Sequence, residues 1–194
     1  MTVVHFITHP DVAIDPAVPV PHWPLSERGI ARMRAALGAT DWVLGIAAVH
    51  CSTERKAIDG AAILAGHLGL RFTTHAALGE NDRSATGYLP PEEFEATADL
   101  FFAHPTQSIR GWERAVDAQA RVIAAVDQVL ARPRPEGDVA IVAHGGVGAV
   151  LLCSLLGEAI SRTRDQPMTA AGGFRFAFDA DTRLVRHGWL RIDG

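Results

Sequence analysis

Val3-Val4-His5-Phe6-Ile7-Thr8-His9-Pro10 is a short run of β-branched and aromatic residues that ends in a histidine and is stopped by a proline. Val, Ile and Phe favour a pleated, buried segment. Pro10 cannot donate to a sheet ladder, and it pushes the residue before it toward an extended conformation. The stretch therefore predicts a buried strand with His9 at its C-terminal end. In an open α/β sheet, ligands bind at that end. A histidine there can also simply finish a strand, so the rest of the chain decides what it means.

A second stretch repeats the pattern. Asp138-Val139-Ala140-Ile141-Val142-Ala143-His144-Gly145-Gly146 is again an apolar run ending in histidine, followed by an apolar helix over residues 147–156 that Gly157 closes. A third run, Gly45-Ile46-Ala47-Ala48-Val49-His50-Cys51, leads into Ser52-Thr53, an N-cap pair for an alanine-rich helix that passes through Arg55 and stops at Gly69. If these runs are parallel neighbours, His9, His144 and the start of that helix share one sheet edge. Two histidines, an arginine and free helix N–H groups describe a phosphate site.

The intervening segments fit an alternation of strands and helices. Residues 11–24 form a loop stiffened by Pro16, Pro19, Pro21 and Pro24, placed to wall a site. In Leu25-Ser26-Glu27-Arg28-Gly29-Ile30, Ser26 is an N-cap and Leu25 with Ile30 has staple spacing. Met33 and Leu37 continue the apolar face of that helix, and Gly38 can end it. Residues 71–77 read as a short strand, and residues 78–89 as a loop of turn formers. Pro90-Pro91 opens a helical insertion at about 90–111, and a longer helix then runs from Trp112 until Pro133. Strands at 173–178 and 184–190 flank Asp179-Ala180-Asp181 as an antiparallel hairpin. The expected fold is α/β in three layers, a mainly parallel central sheet with helices on both faces, in one domain over 1–194.

Composition narrows the function. The net charge is −4 and no basic tract is present, which gives no support for nucleic-acid or anionic-membrane binding. The longest apolar segment, residues 147–156, is too short to span a bilayer. Cys51 and Cys153 sit in apolar surroundings without paired spacing and read as buried reduced thiols. No basic region followed by an apolar core opens the chain, so a soluble cytoplasmic protein is expected. No metal-ligand pattern such as His-Glu-x-x-His occurs, and no cofactor is implied.

Taken in order, these blocks resemble the histidine phosphatase superfamily, the phosphoglycerate mutase-like proteins. The family's opening strand and Arg-His-Gly correspond to Thr8-His9-Pro10, its Leu-Thr/Ser-x-x-Gly to Leu25-Ser26-Glu27-Arg28-Gly29, and its Leu-x-Glu to Leu78-Gly79-Glu80. Its Ser-x-x-x-Arg-Ala is approached by Cys51-Ser52-Thr53-Glu54-Arg55-Lys56-Ala57, and its late strand with His-Gly-Gly by Ile141-Val142-Ala143-His144-Gly145-Gly146. The resemblance implies the phosphoglycerate mutase-like fold and a metal-independent phosphoric monoester hydrolase. His9 would attack phosphorus and carry the phosphoryl group. Glu80 would protonate the leaving oxygen and then activate water. Arg55 and His144 would stabilise the transferring group, with Thr8 and Gly145 also at the phosphate.

The chain departs from the family at its first motif, with Thr8 in place of arginine and Pro10 in place of glycine. Losing one such charged donor costs roughly 3–4 kcal/mol, or about 10²–10³ in rate. Arg83 is placed in sequence to compensate, followed by Arg28, and Ser26 lies in the same reach. The alternative on the same fold is a catalytically weakened or inactive protein that binds a phospho-ligand and regulates; a protein-interaction module is a third. The expected partner is a small phosphorylated substrate or inorganic phosphate. A homodimer through the helix from Val147 and the two last strands is left open. His5, His50, His67, His75, His104 and His187 read as core or surface histidines, and Trp23, Trp112 and Trp189 as packing residues.

Overall fold

The computed structural model describes residues 2–133, 135–167 and 172–193. Six strands form one mixed sheet: β1 (Val3–Thr8), β2 (Ile46–Cys51), β3 (Phe72–Thr74), β4 (Asp138–Ala143), β5 (Phe174–Asp179) and β6 (Val185–Arg191). Their order is β3-β2-β4-β1-β5-β6. The first four are parallel, and β5 and β6 add an antiparallel edge, so the sheet is mainly parallel as expected. Helices α1 (Glu27–Ala39), α2 (Arg55–Leu68), α3 (Pro91–Ala103), α4 (Ala115–Ala131) and α5 (Gly145–Leu155) complete the elements of more than one turn.

Alternation along the central strands divides the core. Val4 and Phe6 of β1, with Val139 and Ile141 of β4, pack against α4 and α5 through Val122, Val126, Val147 and Val150. Ile7 of β1, with Ala140 and Val142 of β4, faces α1 and α2 through Met33, Leu37, Ala61 and Leu64. Small residues on α2 allow this approach: a Cβ on Gly60 would stand 3.3 Å from the Val142 side chain. Cys51 and Cys153 are free and buried, and burial pushes the Cys51 thiol up to about 12. Among the described residues no helix is long and apolar enough to cross a membrane.

Several local expectations shift, each for a visible reason. α2 begins after Glu54, not after Ser52-Thr53, because the Ser52 hydroxyl accepts the Glu54 N–H (3.2 Å) and curls the chain once before the helix starts. α4 starts at Ala115 because Arg110 (φ 52°) and Gly111 (φ 83°) take left-handed conformations that turn Trp112 out of the helix. That indole packs against Phe94 and Phe101 of α3 and donates to Thr86 Oγ1 (2.9 Å). α1 runs through Gly38 to Ala39, and α5 starts at Gly145, directly after His144.

The entry to α1 is tightly specified. Ser26 Oγ accepts the Gly29 N–H (3.1 Å) and the Ser26 N–H donates to Asp11 O (2.9 Å). A Cβ on Gly29 would stand 2.1 Å from that Asp11 oxygen. We expect Ser26→Ala to cost about 1 kcal/mol in urea unfolding. Gly29→Ala should cost more, because its clash is with backbone. Equal losses in the two variants would show that the loop yields easily.

Candidate active site

The parallel register delivers three strand ends to one place. The His9 N–H donates to Ala143 O (3.2 Å), and the Ser52 N–H donates to Val142 O (3.1 Å). His9, Ser52 and His144 therefore emerge together from β1, β2 and β4. The His9 and His144 rings lie edge to face with centroids 5.3 Å apart. His9 Nδ1 meets its own neighbour's carbonyl, Pro10 O, at 2.9 Å. Burial first, then the charges of His144 and Lys56, lower His9 to about 3, so the ring is neutral at ordinary pH.

His144 is fully buried. Its Nε2 lies 2.7 Å from Ser52 Oγ and 3.4 Å from Glu54 Oε1. Burial lowers its pKa, against the opposing pull of the Glu54 and Glu80 carboxylates. Glu54 also accepts from the Lys56 ammonium and from the Glu80 N–H (2.8 Å). Burial works against the Glu54 charge, yet His144, Lys56 and these hydrogen bonds hold its carboxyl down at about 2. Lys56 is buried and donates as well to Val20 O (2.9 Å), which ties the proline loop to α2.

Glu80 caps the start of α5. Its carboxylate accepts the N–H groups of Gly146 (3.1 Å) and Val147 (2.9 Å), and Oε1 also accepts that of Asn81 (3.1 Å). A carboxylate is favoured at a helix N-terminus. Arg83 Nη2 stands 4.0 Å from Glu80 Oε2, and its guanidinium lies over the rings of Phe94 and Trp112. Arg121 of α4 fixes this loop from behind by donating to the carbonyls of Ala77 (2.9 Å), Gly79 (3.0 Å) and Glu80 (3.2 Å). A cleft of about 710 Å³ opens in front, between the 16–21 proline wall, Thr53 and Glu54 on one side and the Glu80–Ser84 loop with Tyr88 on the other.

The residues expected at a site are thus only partly brought together. His9, His144, Glu80 and Arg83 converge. Arg55 does not: its side chain is 61% exposed and pairs with Asp59 one turn along α2 (2.7 Å). Four residues beyond Ser52, the Ser-x-x-x-Arg spacing falls on Lys56, and Lys56 is the cation that points inward. Thr8 is buried with its hydroxyl donating to Gln166 Oε1 (2.8 Å) and accepting from the Phe174 N–H (3.0 Å). It therefore serves the β1–β5 contact. Arg28 is 79% exposed beside Asp11, and Ser26 caps α1. Gly145 faces Gln166, whose Nε2 would stand 2.7 Å from an added Cβ. Glu54, Lys56, Gln166 and Arg121 escaped the sequence reading; motif spacing could have found only Lys56.

Comparison with known proteins gives a consistent family and fold. A model of the histidine phosphatase superfamily (branch 1) matches residues 19–189, a span that begins after His9. Bacillus stearothermophilus YhfR superposes with a TM-score of 0.76 at 21% identity, covering 100% of this chain and 98% of that one. A mycobacterial glucosyl-3-phosphoglycerate phosphatase in complex with inorganic phosphate has a TM-score of 0.76 at 20% identity, covering 100% of both chains. The same phosphatase complexed with VO3 has a TM-score of 0.73 at 23% identity, covering 98% of this chain and 97% of that one. No curated protein sequence matches the chain at a significant level.

Two outcomes follow from the buried charges. Lys56→Met leaves Glu54 without its cation and should cost roughly 3–5 kcal/mol, whereas Arg55→Ala removes an exposed i,i+4 pair and should cost under about 0.5 kcal/mol. Chemical denaturation of both variants checks the contrast, and similar losses would contradict it. His9 is held at about 3, and His5 and His50 at about 4. An unfolded histidine titrates near 6.5. As pH falls below about 6.5 the unfolded chain binds protons that the folded chain refuses, so stability should decline from there toward about pH 3. Glu54, held at about 2, adds a further loss below about pH 4.5. Urea midpoints measured across this range should fall steadily with acid, and a flat profile would refute the buried neutral histidines.

Proposed function

The chain belongs to the histidine phosphatase superfamily, and from that footing we propose that it is a phosphomonoester hydrolase working through a phosphohistidine on His9. The observation that carries the reading is the His9 ring. A carbonyl oxygen can only accept, so the contact of Nδ1 with Pro10 O puts the proton on Nδ1 and leaves a lone pair on Nε2. Burial keeps the ring neutral, and the lone pair is available for in-line attack at phosphorus.

In this scheme the Nε2–P bond forms as the ester P–O bond breaks. The leaving oxygen takes a proton from Glu80. Glu80 then takes a proton from the water that splits the N–P bond, releasing inorganic phosphate. Glu80 Oε2 accepts one backbone N–H and keeps a lone pair that can hold this proton. Lys56 supplies positive charge, and His144 a hydrogen bond, to the transferring oxygens, so Lys56 takes the place expected of Arg55. Gly145 stands at the start of the same helix, whose N-terminus favours an anion. The substrate is a small phosphorylated molecule whose leaving group sits between the proline wall and Tyr88, with Arg83 at the Glu80 side.

A specific observation favours a second reading, a phospho-ligand-binding protein without efficient turnover. Thr8 is committed to Gln166 and β5, while Lys56 and Arg83 each face a carboxylate. Steady-state hydrolysis of an aryl phosphate without added metal separates the two readings. The wild type should turn over, and His9→Ala should lose roughly 10³-fold or more. Denaturing quench at alkaline pH should trap an acid-labile phosphoryl adduct in the wild type only. Saturable phosphate binding without turnover would put the second reading first, and turnover surviving in His9→Ala would remove the phosphohistidine.

A further inference from the structure

We infer that Glu54 is the residue that sets anion affinity at this site: its carboxylate occupies the seat that a phosphoryl group must take, and a substrate binds by displacing it. The inference rests on the proposed reading only in treating Lys56 and His144 as phosphate-binding groups. Three observations carry it. Glu54 contacts at once the Lys56 ammonium, the His144 Nε2 edge at 3.4 Å and the Glu80 N–H at 2.8 Å. These are a cation, an imidazole and a peptide donor, the kinds of group that bind phosphate oxygens. Glu54 also lines the cleft, whereas His144 behind it is fully buried, so the carboxylate stands between the open volume and the histidine. Finally, Lys56 is itself buried and its charge is spent on Glu54 and Val20 O.

The consequence is electrostatic. A phosphoryl dianion placed against Lys56 and His144 lies within contact range of a second anion that is ionised at every ordinary pH. Like charges at such a distance repel strongly in a partly buried site. Removing the Glu54 charge, while keeping an oxygen for the Glu80 N–H, frees the ammonium for the incoming phosphate. Glu54 is thus a specificity-determining residue for the charge of the ligand, and it need take no part in the chemistry.

Titration calorimetry with inorganic phosphate and with vanadate tests this on the full chain. Glu54→Gln should bind both at least ~10-fold more tightly than the wild type, with a matching fall in KM and a smaller change in kcat. Glu54→Asp keeps the charge and should bind far more weakly than Glu54→Gln. Should Glu54→Gln be poorly folded alone, phosphate should raise its Tm more than it raises that of the wild type. Equal or weaker phosphate binding in Glu54→Gln would overturn the inference and make Glu54 a support for His144 and the Glu80 loop. The two readings fail separately. A gain in phosphate affinity with no His9-dependent hydrolysis in any variant would leave this inference standing and remove the hydrolase. Hydrolysis without the gain would do the reverse. Absence of phosphate binding in all variants would overturn this inference and leave the hydrolase to be decided by His9-dependent turnover.

Discussion

The parallel pairing of β1 with β4 is the constraint on which everything else depends. Its register sets Thr8 against Ala143, so the residues immediately after them, His9 and His144, leave the sheet side by side. A slip of one residue would turn every side chain of β1 to the opposite face. Phe6 and Ile7 would then exchange cores, and both sides are closely filled, which pins the register. The geometry of the histidine pair is therefore held by apolar packing well away from it.

Around that pair the site is arranged as compensated charge. Lys56 is offset by Glu54, and Arg83 by Glu80, while burial lowers the pKa of both histidines. Charges removed from water are tolerated when they are paired and hydrogen-bonded. Thr8 extends the same logic. Where the family carries an arginine, this chain has a small hydroxyl that stitches β1 to β5 and Gln166, so one cation fewer needs a partner.

The walls of the cleft are held from a distance. Arg121 of α4 gathers three carbonyls of the Glu80 loop, and Lys56 of α2 reaches the proline segment at Val20. The two sides of the cleft are thereby fixed to helices on opposite faces of the sheet. The indole of Trp112, turned out of α4 by the left-handed pair Arg110 and Gly111, supports the Arg83 guanidinium. These contacts span many residues of sequence, and no local pattern announces them.

By itself the sequence determined the elements and their order. Apolar runs ending in histidine, an N-capping serine before a periodic helix and glycines at helix ends are local signals, each with a local physical cause. From them the α/β class and the shared edge of His9 and His144 were legible, whereas Glu80 was singled out only by the family resemblance of Leu78-Gly79-Glu80. Only the tertiary structure decided which side chains point inward. On α2, Arg55 and Lys56 are adjacent cations about 100° apart around the helix, and helix propensity does not distinguish them. Packing of α2 against the sheet buries one and exposes the other. The same holds for Glu54 and Thr8, whose chemistry follows from what stands opposite: Lys56 and His144 for one, Gln166 for the other. Long-range contact creates those neighbours, and so the charge of the site is a property of the fold and not of any motif.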